Sequence, residues 1–235
     1  MEYVPLSRDS GRYEYSIPDY EEKPDPYNRT WILLEWTGRG KRVLELGCST
    51  GSMSQYLVQR RGCSVIGVEL DSQAASLAKR FCQEVLIEDL NDSNWTARLP
   101  LGEFDVILMG DVLEHLADPS GALTRMRPLL RENGRVVISL PNVVHWHTRL
   151  KVLCGQFNYE SFGILDHTHL RFYTPQTARK MIEASGYEVT RFHPVFRGRL
   201  SRHGRALSQW LANLAPGLFA YQMLFEARKS IPSET

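Results

Sequence analysis

The chain has 235 residues, which is enough for one sizeable hydrophobic core. Hydrophobic residues make up 43% of it and charged residues 23%, which is ordinary for a globular protein. With a net charge of +1, the molecule as a whole has no strong electrostatic attraction for nucleic acid or for an anionic membrane. No apolar run reaches the length of a membrane span, no apolar leader is present, and the cysteines lack metal or redox spacing. We therefore expect a cytoplasmic protein with free thiols at Cys48, Cys63, Cys82 and Cys154.

The first part of the chain is predicted to be an irregular arm followed by a helix. Prolines within residues 1–26 are too dense for a long helix. The tyrosines of this arm are expected to pack it onto the rest of the protein: Tyr3, Tyr13, Tyr15 and Tyr20. Residues 27–37 have a helical pattern that ends near Gly38.

Strands and helices then alternate up to residue 140. Strands are predicted at residues 41–46, 64–69, 84–87, 104–109 and 135–140. Helices are predicted at residues 52–61 and 72–80, and a third begins at Asp118-Pro119 and ends at Asn133-Gly134. This alternation indicates an α/β fold with a Rossmann-like, doubly wound sheet that is mostly parallel and has helices on both faces.

Beyond Pro141 the regular alternation stops. The pattern predicts a helix at 143–153, an irregular aromatic segment at 155–172, a helix from Thr174-Pro175 to Gly186, and strands at 187–195 and 220–227. We expect the last strand to be antiparallel. Residues 27–235 are treated as one domain, with substrate-covering insertions around 143–175 and 196–218.

A basic stretch precedes the last strand and contains no acidic residue: Arg191, Arg197, Arg199, Arg202 and Arg205. Apolar residues then recur at helical spacing, at Leu207, Trp210, Leu211 and Leu214. We favour an inserted helix that packs on the sheet between the last two strands. Contact with an anionic membrane surface or with an anionic substrate remains an alternative, whereas no nucleic-acid-binding module is present.

The loop after the first strand is predicted to bind a cofactor. Gly47 lets the backbone approach a ligand, Gly51 lets the next helix pack close to the strand, and the loop opens at a helix N-terminus. A dinucleotide site requires Gly-x-Gly-x-x-Gly, whereas this loop is Gly-x-x-x-Gly. Glu45 precedes it, and a carboxylate there would repel a pyrophosphate and attract an ammonium group.

Two further acids follow the next two strands. Glu69 ends the second strand, where an acid can hold ribose hydroxyls, and Asp89 follows the third, where it can accept from an adenine amino group. Together with Glu45 they suit a cofactor that is a nucleoside joined to a cationic amino acid.

The motifs resemble those of class I S-adenosylmethionine (SAM) methyltransferases. The resemblance covers residues 28–195 and rests on VLELGCSTG at 43–51, GVELD at 67–71, FDVILMGDVLEHL at 104–116, SLPNV at 139–143 and LDHTHLRFYT at 165–174. The last two are similar to a subgroup with ubiquinone-biosynthesis O-methyltransferases and bacterial polysaccharide or natural-product enzymes. One departure is Ser49, where the family usually has glycine; its side chain should fit if its φ is not positive.

The resemblance implies SAM as cofactor and a role for each matching residue. Glu45 and the loop residues Gly47, Cys48, Ser49 and Gly51 would hold the methionine part. Glu69 would hold the ribose, with Leu70 also at the cofactor, while Asp89 and Leu90 would hold adenine and Asp111 would line the methionine end. Asp89 and Asp111 have structural alternatives, such as capping a helix.

Methyl transfer from a sulfonium depends more on alignment than on a base, since alignment supplies roughly 7–11 kcal/mol. The base candidates are His145 and His167, and Arg171 can hold an anionic group of the acceptor. His115 could be a base or, equally well, a packed histidine with a structural hydrogen bond. Four histidines and an acid could also form a metal cluster, but the resemblance needs no metal and we predict none: His145, His147, His167, His169 and Asp166.

These observations predict a SAM-dependent transferase that methylates a small molecule, most simply on oxygen. A nitrogen acceptor and a non-catalytic SAM-binding scaffold are the alternatives. A dinucleotide oxidoreductase is disfavoured by Glu45 and by the absent glycine pattern. The acceptor, the oligomeric state and the role of the basic stretch are not specified by the sequence.

Overall fold

The structure is a computed structural model that describes residue 22, residues 24–196 and residues 202–230. Most of the predicted N-terminal arm, including its four tyrosines, lies outside the described residues, as do Arg197 and Arg199 of the basic stretch.

A seven-stranded sheet forms the centre of the molecule, with the strand order β3-β2-β1-β4-β5-β7-β6. The strands are β1 (Arg42–Leu46), β2 (Ser64–Glu69), β3 (Glu84–Ile87), β4 (Phe104–Gly110), β5 (Leu130–Pro141), β6 (Tyr187–Val195) and β7 (Gln222–Lys229). The strands from β3 to β5 pair in parallel, whereas β7 runs antiparallel to both of its neighbours. The predicted fold class is confirmed, including the antiparallel last strand.

Eight α-helices lie within the described residues. They are α1 (Arg29–Thr37), α2 (Ser52–Arg61), α3 (Ser72–Ala78), α4 (Pro119–Met126), α5 (Trp146–Leu153), α6 (Pro175–Ala184), α7 (Arg202–Leu214) and α8 (Pro216–Phe219). Sequence-local signals fix several helix ends. Asn28 caps α1 and Asp71 caps α3 by accepting backbone N–H bonds, and Thr174 forms a capping box with Thr177. Within this part of the chain, no helix has the length and hydrophobicity needed to cross a bilayer.

The sheet separates two hydrophobic cores because successive residues of a strand point to opposite faces. Val43 belongs to one core, with Leu33 of α1 and Leu57 of α2. Leu44 belongs to the other, with Leu123 of α4. Helices on both faces leave the carboxyl ends of the parallel strands as the exposed edge at which a ligand can bind.

The prediction for the end of α4 was wrong. The expected helix reached Asn133-Gly134, but α4 ends at Met126, a short turn follows at Arg127–Leu129, and β5 already begins at Leu130. Pro128 explains the early end, because proline donates no backbone hydrogen bond and its ring clashes with the carbonyl four residues earlier in a helix.

Helix α7 lies against the end of β6, but its apolar stripe does not face the sheet. Three of the four apolar residues of this stripe are largely exposed: Leu207 at 60%, Trp210 at 58% and Leu214 at 67%. The buried face is made instead by Ser208, Gln209 and Ala212. Gln209 donates to the carbonyl of Pro194 in β6 and accepts from the N–H of Phe196, so hydrogen bonds to the end of a strand set the helix orientation.

Two arginines of the basic stretch have acidic partners. Arg191 lies 3.5 Å from the buried carboxylate of Glu226, and Arg205 lies 2.5 Å from Asp25 with its guanidinium over the ring of Tyr27. These contacts give both arginines a structural role. All four cysteines are free.

Candidate functional site

The loop between β1 and α2 follows the carboxyl end of a central strand and turns back over β2. The N–H groups of Gly47 and Cys48 both donate to the carbonyl of Val68, at 2.8 and 3.2 Å. Gly47, Ser49 and Gly51 have positive φ values of 64°, 49° and 80°. The loop is therefore a tight turn that leads into the N-terminus of α2.

The glycines of this region allow close approaches that side chains would prevent. A Cβ atom on Gly47 would lie 2.9 Å from Cγ2 of Val112, and one on Gly51 would lie 2.8 Å from the backbone Cα of Ala78 in α3. A Cβ on Gly67 in β2 would lie 2.7 Å from Sγ of Cys48. The loop is thus seated directly on the turn after β4, on α3 and on β2.

Ser49 adopts the left-handed conformation that its family usually gives to glycine. Its φ is 49°, so the condition under which a serine would fit without cost is not met. A residue with a Cβ pays roughly 1–2 kcal/mol in this region. The exposed N–H of Ser49 donates to Oε2 of Glu69 at 2.8 Å, which holds the strained residue in place.

We expect the Ser49→Gly variant to bind SAM as tightly as the parent chain, or more tightly. Its free energy of unfolding should change by less than about 1 kcal/mol, because relief of the strained φ is offset by the larger backbone entropy of glycine in the unfolded chain. Calorimetric SAM titration and thermal melts would measure both quantities. A marked loss of SAM affinity would mean that the serine side chain, not the loop backbone, holds the ligand.

Glu45 lies underneath the loop. Its side chain is 1% exposed, Oε2 accepts from the hydroxyl of Ser54 in α2, and Oε1 has no hydrogen-bond partner. Burial raises the pKa of Glu45 to about 8, although the Ser54 hydrogen bond lowers it. The carboxyl group is thus mostly neutral near pH 7 until a cation such as an ammonium group comes next to it.

Glu69 connects the end of β2 to the loop. Oε2 accepts from the N–H of Ser49, and Oε1 accepts from the N–H of Asp71 at 2.9 Å. Each carboxylate oxygen can accept more than one bond, so the group can still receive hydroxyl donors. Leu70 follows it and is 66% exposed, which leaves an apolar surface beside the carboxylate.

Asp89 lies in an exposed turn after β3. Its Oδ1 accepts from the N–H and the side-chain amide of Asn91, at 2.8 and 3.0 Å. The structure thus gives Asp89 a local turn rather than the helix cap considered from the sequence. Leu90 is partly buried and packs against the core.

Asp111 follows β4 with a positive φ of 58° and is held by three other elements. Ser139 of β5 donates to its Oδ1 at 2.6 Å, Gln222 of β7 donates to Oδ2 at 3.5 Å, and Arg29 of α1 forms a salt bridge with it. Its charge is therefore already matched within the chain. This network fixes the position of Asp111 at the carboxyl edge.

His145 precedes α5 and is the most enclosed of the base candidates. It is 6% exposed, both ring nitrogens lack a hydrogen-bond partner, and its ring lies edge-on to Tyr221 at 5.6 Å. Burial lowers the pKa of His145 to about 4. It is therefore neutral near pH 7, as a proton acceptor must be, but a weak base.

The other two candidates lie on the segment before α6. The side chain of His167 is 62% exposed, with Nδ1 3.3 Å from the carbonyl of Glu160. Arg171 is exposed and donates to the carbonyl of Ala117 at 2.7 Å, which ties its segment to the turn after β4. The structure therefore does not bring His145, His167 and Arg171 together by any direct contact.

One cluster of side chains at this edge was not predicted from the sequence. Glu114 and His115, in the turn Leu113–His115 after β4, lie beside His169. Burial raises the pKa of Glu114 to about 8 and lowers that of His115, which the neighbouring His169 lowers further. Adjacent Glu and His directly after a central strand were the available signal, but nothing in the sequence shows that His169 lies next to them.

The residues present fit the cofactor that the motifs imply. The unpartnered Oε1 of Glu45 needs a donor, the turn at Gly47 and Gly51 has no room for side chains, and the Glu69 carboxylate lies beside exposed Leu70. The amino-acid part of SAM carries an ammonium group that can donate to Glu45. The turn allows the cofactor to approach the backbone closely, and Glu69 beside Leu70 suits the nucleoside.

Comparisons with known proteins identify the family to which the chain belongs. A family model described as a methyltransferase domain matches residues 20–191. The ubiquinone biosynthesis O-methyltransferase of Aeromonas salmonicida (strain A449) is 28% identical over 170 residues, 70% of this chain and 71% of that protein.

Two solved structures are similar in fold. A SAM-dependent methyltransferase from Archaeoglobus fulgidus has a TM-score of 0.59 at 19% identity, covering 86% of this chain and 90% of that one. The 1,6-didemethyltoxoflavin-N1-methyltransferase of Burkholderia thailandensis, with bound 1,6-didemethyltoxoflavin and S-adenosylhomocysteine, has a TM-score of 0.56 at 20% identity, covering 86% of this chain and 76% of that one.

The family match, together with the fold, gives the class: this chain is an enzyme that transfers methyl groups and uses SAM as its cofactor. More particularly, it belongs to the methyltransferase-domain family whose model spans residues 20–191. The predictions of family, enzyme class and cofactor are thereby confirmed.

Proposed function

We propose that the chain methylates an oxygen atom, in a hydroxyl or carboxylate, of a small molecule in bacterial secondary-metabolite, polysaccharide or quinone-type biosynthesis. The observation that carries this proposal is the similarity to a named O-methyltransferase along 70% of the chain. The free thiols at all four cysteines suit a reducing compartment, so we also propose that it acts in the cytoplasm.

SAM, when bound, supplies a methyl group on a positively charged sulfur that an acceptor atom attacks in line. We propose that Glu45 receives the ammonium group of the methionine part, while the backbone from Gly47 to Gly51, with Cys48 and Ser49, encloses that part. The carboxylate of Glu69 takes the ribose hydroxyls beside Leu70. Asp89 and Leu90 hold adenine.

The acceptor side of the proposal uses the two insertions. Residues 143–175 and 196–218 cover the substrate. Asp111, which is held by its bonds to Ser139 and Arg29, lines the methionine end of the cofactor site. His145 or His167 takes the acceptor proton. Arg171 has donors beyond the one bound by Ala117, and these hold an anionic group of the acceptor.

Labelled-methyl transfer tests the function. Purified chain, SAM with a labelled methyl group and two acceptor panels would be incubated, one of phenols, catechols, hydroxy acids and sugars and the other of amines. We expect label in oxygen-linked products only. Label confined to amines would contradict the choice of oxygen, and SAM binding without transfer to either panel or to cell extract would favour a binding scaffold.

Single replacement tests the acceptor-side residues. We expect His145→Ala or His167→Ala to lower turnover about 100-fold, since a positioned base contributes about 10²–10⁴-fold, and Arg171→Ala to raise the KM of the acceptor. SAM affinity should stay within about threefold in each. Arg179→Ala, on the exposed surface of α6, is the control. Unchanged turnover and KM in all three variants would remove these residues from the chemistry.

A further inference from the structure

Two cysteine side chains meet beneath the cofactor loop, although they are far apart in the sequence. Cys48 belongs to the loop after β1, and Cys82 lies between α3 and β3. Both sulfur atoms lie over Gly67 of β2: a Cβ atom on this glycine would lie 2.7 Å from Sγ of Cys48 and 3.4 Å from Sγ of Cys82. The missing side chain at Gly67 therefore leaves the space that the two thiols share.

The two thiols differ in reactivity. Cys48 is 3% exposed and Cys82 is 9% exposed. A hydrogen bond between them lowers the pKa of Cys82 and raises the pKa of Cys48, and burial raises that of Cys48 further. The thiolate is the nucleophilic form of cysteine, so Cys82 is the member of the pair that reacts first with an electrophile. Cys48 is then in place to react with the product.

The pair is connected to Glu45, the buried acid of the proposed cofactor site. Sγ of Cys82 donates to the hydroxyl of Ser54 at 3.2 Å, and this hydroxyl donates to Oε2 of Glu45. Ser54 is fully buried. Cys48 is itself a loop residue, whose N–H donates to the carbonyl of Val68 at 3.2 Å. A chemical change at the two sulfur atoms therefore reaches both the loop backbone and the Ser54–Glu45 hydrogen bond.

We propose that Cys48 and Cys82 form a reversible disulfide when the chain meets a peroxide, and that the disulfide form binds SAM weakly. Disulfides in a reducing compartment are usually transient and catalytic or redox-sensing, so the pair is expected to rest as free thiols. Free thiols are what the structure contains. The two cysteines lack redox spacing in the sequence, and the fold brings them together at Gly67.

The reaction consumes one peroxide molecule and takes place in two steps. The thiolate of Cys82 attacks one peroxide oxygen, the O–O bond breaks, and the leaving hydroxide takes a proton to become water. Cys82 is then a sulfenic acid. The sulfur of Cys48 attacks the sulfur of Cys82, the S–S bond forms, and the S–O bond breaks. The hydroxyl leaves with the thiol proton of Cys48 as a second water, so two thiols are oxidised and one peroxide is reduced.

The disulfide changes the cofactor loop in two ways. Bonded sulfur atoms are about 2.05 Å apart, which is closer than any non-bonded contact, so Cys48 and its backbone have to move. Cys82 no longer donates to Ser54, because its sulfur has lost its proton. We expect SAM affinity to fall at least 10-fold. This effect rests on the proposed position of the cofactor, whereas formation of the disulfide can be measured without SAM.

The test uses hydrogen peroxide on the full chain. Cys154→Ser is the background, since it removes an exposed thiol that could link two molecules. Non-reducing mass spectrometry should show the loss of two hydrogen atoms and a crosslinked peptide pair that contains Cys48 and Cys82. Calorimetric titration should show at least a 10-fold loss of SAM affinity that dithiothreitol reverses. Dithiothreitol does not restore oxidised methionine, so the recovery assigns the loss to the thiols.

Two serine variants in this background separate the pair from the remaining thiol. Cys63→Ser is the matched control, because Cys63 is also buried but its Sγ lies 3.6 Å from the carbonyl of Gly38. It should form the crosslink and lose SAM affinity as the background chain does. Cys82→Ser should form no crosslink, and peroxide should change its SAM affinity by no more than about twofold.

Either of two results would overturn the inference. One is a peroxide-treated chain without a crosslink between Cys48 and Cys82. The other is a fully crosslinked chain that binds SAM as tightly as the reduced chain does. Both are measured on the background chain, so they decide the matter even if Cys82→Ser fails to fold. A reduced chain that does not bind SAM at all would contradict the cofactor site itself, whether or not the crosslink forms.

Discussion

Replacing Glu69 with alanine should lower SAM affinity about 100-fold while the chain stays folded. The carboxylate accepts backbone N–H bonds from Ser49 and Asp71, so it holds the loop in shape, and it is the group proposed to receive the ribose hydroxyls. Hydrogen bonds to a charged group contribute about 1.5–3 kcal/mol each, and a tenfold change in affinity is about 1.4 kcal/mol.

Calorimetric titration of SAM into the parent chain and the Glu69→Ala variant would measure this loss. Glu84→Ala is the matched control, since it removes the same charge from a 55% exposed side chain at the opposite end of the neighbouring strand β3. Its affinity should stay within about twofold. Equal affinity in the Glu69→Ala and parent chains would show that the ribose is held elsewhere.

Replacing Gly51 with alanine should destabilise the chain by roughly 3 kcal/mol and abolish SAM binding. The alanine would have to adopt a left-handed φ of 80°, and its Cβ would lie 2.8 Å from the backbone Cα of Ala78. The first effect costs roughly 1–2 kcal/mol and overpacking costs about 1–3 kcal/mol. Because the close atom belongs to the backbone of α3, the loop and that helix must move apart.

Gly62, at the other end of α2, separates the two effects. It has a φ of 63°, but nothing lies within 4 Å of its added Cβ, so Gly62→Ala carries only the backbone penalty. Chemical unfolding should show a loss of about 1–2 kcal/mol for this control, with SAM affinity unchanged. Similar losses of stability and SAM binding in both variants would mean that the loop does not depend on its contact with α3.

Local patterns predicted the sheet well because their causes are local. The predicted bounds of β2, β3, β6 and α2 are the observed ones. The buried strand β2 gives an almost continuous apolar run, and Gly62 ends α2 in a left-handed cap. The end of α4 was missed although its signal, Pro128, was in the sequence. Helical spacing of apolar residues continues through Leu129 and Leu130, so this spacing alone does not show the break at the proline.

The parts that could not be predicted depend on contacts between distant segments. The apolar spacing of α7 indicates an amphipathic helix, but the hydrogen bonds of Gln209 to the end of β6 decide which face is buried. The cluster at Glu114 forms only because the segment before α6 folds back onto the turn after β4. Neither fact has a signature in the spacing of residues.

Within the candidate site, the loop and its acids could be predicted from the sequence. The protonation of Glu45 and the backbone conformation of Ser49 could not. Glu45 was taken as a charged group, whereas burial raises its pKa to about 8. Ser49 was allowed on the condition of a negative φ, and its φ is 49°. Both depend on surroundings that residue type alone does not specify.

A crystal structure of the chain with S-adenosylhomocysteine tests the central claim most directly. The account predicts the ribose hydroxyls within hydrogen-bonding distance of the Glu69 carboxylate, the amino-acid part over the backbone from Gly47 to Gly51, and its ammonium group near Glu45. Ligand bound at another edge of the sheet, or a ribose that does not contact Glu69, would contradict it.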